Sequence, residues 1–264
     1  MNIYKRELRA HLKSLMIWCL GMMFLCIVGM TKYSAGLNAG GSLNEMMKAM
    51  PASLQNLFNV SVFNLSIAIE YYGIIFLYIA LLATIQAVML GSSIISKEEM
   101  DKTVEFLMVK PISRESIITS KLLAALTMII IMNIVTTISS YLAINNFNPV
   151  SPFIGDLLKL MGGLFILQLI FLCIGAFFAG LIPNPKLSSA IATGVLLVTF
   201  LIYIVINTSG RMDFLKYFSP FKYYDAKYIL KGGFLAIFPI LSIIIIALAV
   251  LGTYNFFKRR DLRA

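Results

Sequence analysis

The chain has 264 residues, 59% of them hydrophobic and only 13% charged, with a net charge of +10 and a mean hydropathy of +0.88. Soluble domains run closer to half apolar and a quarter charged, so the composition excludes a soluble globular protein. The basic balance does not point to nucleic acid either. Lys and Arg are confined to segments between long apolar runs, where such residues set membrane topology.

Five runs contain no Asp, Glu, Lys or Arg: 71–96, 122–155, 160–185, 187–210 and 232–257; a sixth, 14–31, is shorter. About 20 helical residues, rising about 1.5 Å each, cross a hydrocarbon layer of roughly 30 Å. The predicted fold is therefore an all-α integral membrane protein, one transmembrane domain over 1–264. Its six spans are placed at about 14–31, 71–95, 118–144, 158–181, 187–208 and 233–257. Fourteen Lys and Arg fall in the N-terminal segment, the second and fourth connections and the tail, against eight on the opposite side. The majority side is cytoplasmic, which puts both termini inside a cell membrane.

In chain order, residues 1–13 read as an interfacial helix. Tyr4, Leu8, Leu12 and Leu15 line one face and Lys5, Arg9 and Lys13 another, which suits a helix lying on anionic membrane lipid. A signal peptide is the rival reading, set back by a long basic segment and a poor cleavage site near Ser34 and Ala35. The lone histidine, His11, is placed on the surface of this helix. The first outside loop, 32–70, carries Gly36, Gly40 and Gly41, then an amphipathic stretch broken by Pro51, where short helices are expected. A tight outside turn is expected at 145–156, and a short inside turn at Pro183-Asn184-Pro185.

The second connection is the most structured polar piece. Ser96 followed by Glu99 fits a capping box that would begin a new helix over 97–110. Val104, Leu107 and Met108 share one face of it, and Glu98 and Lys102 pair at i,i+4 on another. Pro111 would end it, and Ser113 would cap the next helix with Glu115 in its first turn. Such a helix is either an ordinary interfacial linker with solvated charges or a docking helix offering its acids to a cytoplasmic partner.

The whole chain resembles a permease subunit of the type-2 ABC exporter class. That class opens with a basic-acidic interfacial helix, here Tyr4-Lys5-Arg6-Glu7-Leu8-Arg9. It carries an acidic pattern after the second span, matched here by Glu98, Thr103, Glu105, Leu107, Pro111, Ser113, Arg114 and Lys121. Lys102 stands where the class usually has Gly, which departs from its sharp local turn. The resemblance implies that 97–110 is a coupling helix seated in a groove of an ATPase. The docking residues would be Glu98, Glu99, Asp101, Glu105, Leu107, Met108 and Arg114, with Asn184 in a second, minor contact. It also implies two ABC ATPase copies, a second permease that is identical or homologous, and re-entrant helices around Phe218-Ser219-Pro220-Phe221-Lys222-Tyr223-Tyr224-Asp225.

No Gly-x-x-x-x-Gly-Lys-Ser/Thr sequence occurs. The chain is expected to bind no cofactor and to be no enzyme, with ATP and Mg held by the partner ATPase. No acid or base is placed mid-membrane, which argues against ion-coupled transport and against a membrane hydrolase. Polar residues do fall within spans, and Gln86, Asn133 and Gln168 are candidates for a substrate path, although most such residues only hold helices together. Ala87-x-x-x-Gly91 and Gly175-x-x-x-Ala179 offer small faces for close helix packing. Lys216, Lys222, Lys227 and Lys231, interleaved with Tyr217, Tyr223, Tyr224 and Tyr228, read as snorkelling lysines and aromatic anchors, or as a gate. Cys19, Cys26 and Cys173 have no metal or disulfide spacing. The function expected is a path for a hydrophobic or amphipathic substrate, such as a peptide, toxin or drug. The alternative is a scaffold or sensor that recruits a cytoplasmic partner without transport.

Overall fold

A computed structural model describes residues 3–38, 51–57, 62–100, 113–147, 152–209, 212–232 and 235–259. Among them the elements in chain order are α1 (Ile3–Asn38), α2 (Ala52–Leu57), α3 (Ala68–Met100), α4 (Arg114–Asn145), α5 (Ile154–Leu181), α6 (Pro185–Ser209), a 3-10 turn (Asp213–Phe218), α7 (Pro220–Tyr223), a π-turn (Tyr228–Gly232) and α8 (Ile237–Arg259). Six of these helices, α1, α3, α4, α5, α6 and α8, are long and apolar enough to cross a membrane, and no strand occurs among the described residues. The protein is therefore an all-α integral membrane protein, as its charge-free runs predict.

Burial sorts the six helices into a centre and a periphery. In their most apolar stretches α3 is 67% and α5 61% buried, against 17% for α8 and 22% for α6. The pairing of α3 with α5 rests on glycine. A Cβ at Gly91 would stand 2.1 Å from the Leu172 carbonyl oxygen, and one at Gly175 would stand 2.3 Å from that of Val88. Only hydrogen lets these backbones approach so closely, so the two small-residue motifs do meet, and they meet each other. Around this axis the outer helices turn Ile17, Phe24, Leu201, Ile243 and Leu251 outward, as hydrocarbon-facing surfaces require.

Two expected boundaries are corrected. The interfacial helix and the first span are one continuous helix of 36 residues, about 54 Å long, because no Gly or Pro lies near residue 13 to end a turn. The capping box at Ser96 does not start a helix, since α3 runs through it to Met100. Inside an unbroken helix the amides after Ser96 already have i−4 carbonyls, so a cap has no free donor to satisfy. Ser96 is buried instead. Other local signals hold. Ser113 caps α4, its Oγ accepting from the Ser116 amide at 3.2 Å, with Glu115 in the first turn. Asn184 caps α6, its Oδ1 accepting from the Lys186 and Leu187 amides at 3.1 and 3.3 Å.

Candidate functional site

Three sets of polar residues organise the molecule: one at the end that carries the described ends of α1 and α8, one in the interior, and one at the opposite end.

At the first end, α3 finishes at Met100 and α4 begins at Arg114. Asp101, Glu105, Leu107 and Met108, with most of the expected coupling helix, lie outside the described residues, as does the Glu98 side chain. Glu99 is half-buried in the last turn of α3. Ser92 of α3 donates to Ser189 of α6 at 3.2 Å, two turns before Met100 and just over one turn past Asn184. The exposed turn at Asn184 and the end of α3 therefore occupy the same end of the bundle. The Arg114 guanidinium donates to the Lys258 carbonyl at 2.9 Å. Lys258 pairs with Glu115, and Thr119 shares a hydrogen bond of 2.7 Å with the Tyr254 hydroxyl. These contacts staple the last turns of α8 to the first turns of α4. Lys121, which the sequence places in an aqueous connection, is fully buried and donates to the Ile94 carbonyl of α3.

In the interior, two of the three candidate path residues share a hydrogen bond. The Asn133 amide donates to Gln168 Oε1 and to the Met161 carbonyl, both at 3.3 Å, tying α4 to α5. Gln168 is fully buried. Gln86 stands apart from them, in a cleft of about 140 Å³ that His11 also lines. His11 is thus not a surface residue, its side chain being 15% exposed.

At the opposite end the chain between α6 and α8 folds back into the bundle. Phe221 packs between Phe171 and Phe200, with ring centroids at 5.3 and 5.2 Å, and Ser219 donates to the Thr199 carbonyl at 2.8 Å. Tyr223 stacks on Phe238 at 4.8 Å, and Tyr224 bonds the Ser242 hydroxyl at 2.8 Å. Burial pushes the Tyr223 phenol up to about 12, with Tyr224 adding to the shift. Lys222 corrects the snorkelling expectation. Its side chain is 6% exposed, pairs with Asp225 at 3.0 Å, donates to Asn207, and sits over the Tyr203 and Tyr228 rings at 5.6 and 5.0 Å. Lys231 reaches Glu70 at the start of α3 at 2.8 Å. The inserted segment is thus held by α3, α5, α6 and α8 together. The i,i+3 spacing of Lys222 and Asp225 was the available sequence signal for it.

This arrangement defines a class: a polytopic helical membrane protein whose ionic groups are gathered at the two ends of an apolar bundle. The particular family follows from comparison with known proteins, for the chain belongs to the ABC-2 family transporter proteins, whose profile matches residues 1–262. No curated protein matches it. Membership makes the chain a membrane permease component of an ABC transporter, and it implies an ABC ATPase as partner.

Proposed function

We propose that the chain forms the translocation path of an ATP-driven exporter for a hydrophobic or amphipathic substrate, such as a peptide, toxin or drug. Two ATPase subunits bring ATP and Mg, and a second permease, identical or homologous, completes the path. Both termini face the cytoplasm of a cell membrane, the orientation favoured by the excess of Lys and Arg on their side.

The observation that carries this reading is mechanical. The acidic segment 97–110 joins the two helices best placed to carry a push. At its start is α3, a 33-residue rod locked to α5 through Gly91 and Gly175. At its end is α4, whose first turns are stapled to α8. Closure of the ATPases on Glu98, Glu99, Asp101, Glu105, Leu107, Met108 and the turn at Asn184 displaces both rods together. Arg114 keeps the start of α4 in register with α8. A switch of this kind needs a differential affinity of a few kcal/mol between the two states. The interior supports an apolar or amphipathic cargo, since the described ionic groups lie at the helix ends and the mid-bundle polar pair, Asn133 and Gln168, is neutral.

Purification from the native membrane in mild detergent tests the proposal. A P-loop ATPase should accompany the wild-type chain, and Glu98→Lys with Glu105→Lys should release it while membrane insertion stays intact. Association that is unchanged by the double reversal refutes the docking assignment. A partner that is not an ATPase favours the scaffold instead.

A further inference from the structure

The cleft between α1, α3, α4 and α6 has a chemistry that the transport reading does not use. It holds about 140 Å³, many times the roughly 10–15 Å³ that one water site needs. Leu15, Trp18, Leu90 and Met128 supply apolar walls, and Gln86 and Ser93 the polar floor. Gln86 is only 4% exposed, yet its Oε1 has no hydrogen-bond partner. The Ser93 hydroxyl gives its proton to the Leu90 carbonyl, so toward the cleft it can only accept.

Helix α1 adds a further acceptor. Glu7, His11, Ser14 and Trp18 follow one another at spacings of four, three and four, which puts them on one face. Glu7 is fully buried. Arg6 holds its Oε1 at 2.8 Å, while Oε2 has no hydrogen-bond partner and lies 3.9 Å from His11 Nε2. A buried acceptor left without a donor is costly; Gln86 Oε1 is one in the wall of the cleft, and Glu7 Oε2 is a second, one turn along α1 from the lining residue His11. The missing complement is a donor-rich cation. A primary ammonium brings three N–H groups and a positive charge, which a carboxylate and an indole face both attract.

Depth identifies the source of that cation. The N-terminal cluster of charges on α1 ends at Lys13, and exposed Met16, Ile17 and Leu20 follow at once. The cleft therefore opens where head groups give way to hydrocarbon, the level at which an interfacial Trp sits. Membrane lipid is the amphiphile that surrounds a protein there. We propose that this cleft binds the ammonium head of a membrane aminolipid, phosphatidylethanolamine, with Gln86 accepting one of its N–H groups and Trp18 lining the cleft beside its charge. The site stands independently of the export reading, because it needs neither an ATPase nor a cargo.

Native mass spectrometry of the full chain in mixed micelles tests it. Phosphatidylethanolamine, its mono- and dimethylated forms and phosphatidylcholine share one phosphate and the same acyl chains, but lose one donor at each methylation. Retention should fall along the series by roughly tenfold in all, the worth of one hydrogen bond to a charged donor. Gln86→Leu should abolish the discrimination while keeping the wild-type melting temperature. Equal retention of phosphatidylethanolamine and phosphatidylcholine by the wild type overturns the proposal, as does a Gln86→Leu variant that still discriminates. Retention of dodecylammonium without retention of phosphatidylethanolamine overturns the lipid as occupant. If Gln86→Leu fails to fold, the wild-type series decides alone.

Discussion

Substituting Gly91 by Ala probes the crossing on which the bundle is built. The added Cβ would sit 2.1 Å from the Leu172 carbonyl oxygen, 3.0 Å from its carbon and 3.1 Å from the Ala176 nitrogen. Carbon and carbonyl oxygen come no closer than about 3.3 Å, so α3 and α5 must part by about 1 Å. A gap of that size forfeits about a quarter to a half of the dispersion energy across the contact. Overpacking costs about 1–3 kcal/mol, and the upper figure applies because the obstructing atoms are backbone and cannot rotate aside. Alanine returns about 1 kcal/mol of helix propensity. The net loss is about 2 kcal/mol, or a fall in melting temperature of about 4–8 °C. Thermal unfolding of purified protein in one detergent measures it. Gly162→Ala is the control, since it lies in α5 with nothing within 4 Å of its new Cβ and should gain about 1 kcal/mol from helix propensity alone. Gly175→Ala should match Gly91→Ala, and the double variant should cost less than their sum, because one separation relieves both clashes. Gly91→Ala and Gly162→Ala melting together would refute the close approach.

The Lys222–Asp225 pair predicts a pronounced asymmetry. Lys222→Met alone leaves a buried carboxylate and should cost about 3–5 kcal/mol, whereas Lys222→Met with Asp225→Leu should recover most of that. A melting-temperature cycle with no coupling would mean that the pair is not held in the interior. Orientation is open to cysteine labelling once Cys19, Cys26 and Cys173 are replaced. Ser219 is fully buried, but Phe218 beside it is 66% exposed and Asn184 is exposed. Phe218→Cys should react with an impermeant maleimide on intact cells and Asn184→Cys only after permeabilisation. The reverse pattern inverts the proposed topology.

The spans were legible because bilayer thickness imposes a length and an absence of charge, and both survive any tertiary arrangement. The glycine motifs were legible as small faces, though their partners were not, since helix pairing leaves no mark within one helix. The local capping signal succeeded at Ser113, where a helix begins, and failed at Ser96, where burial of the serine goes with an unbroken α3. The ionisable groups were the hardest to read. Glu70 and Lys121 border apolar runs, and Glu7, Lys222 and Asp225 lie in the charged segments between or before them, where sequence suggests water. Their burial depends on residues far along the chain, such as Ile94 for Lys121 and Asn207 for Lys222. His11 was misjudged for the same reason, since the cleft that it lines is completed by residues of α3, α4 and α6.

The last helix has a consequence for how the two ends of the molecule communicate. Toward one membrane surface α8 is tied through Tyr254 and Lys258 to α4. Toward the other it carries Phe238 and Ser242, on which the inserted Tyr223 and Tyr224 rest. A hydrogen-bonded helix keeps its rise of about 1.5 Å per residue and barely stretches. With most of its flank in fluid hydrocarbon, α8 behaves as a connecting rod, and an axial slip at Lys258 must reappear at Phe238. The plug at one surface and the linkage at the other then share a single degree of freedom.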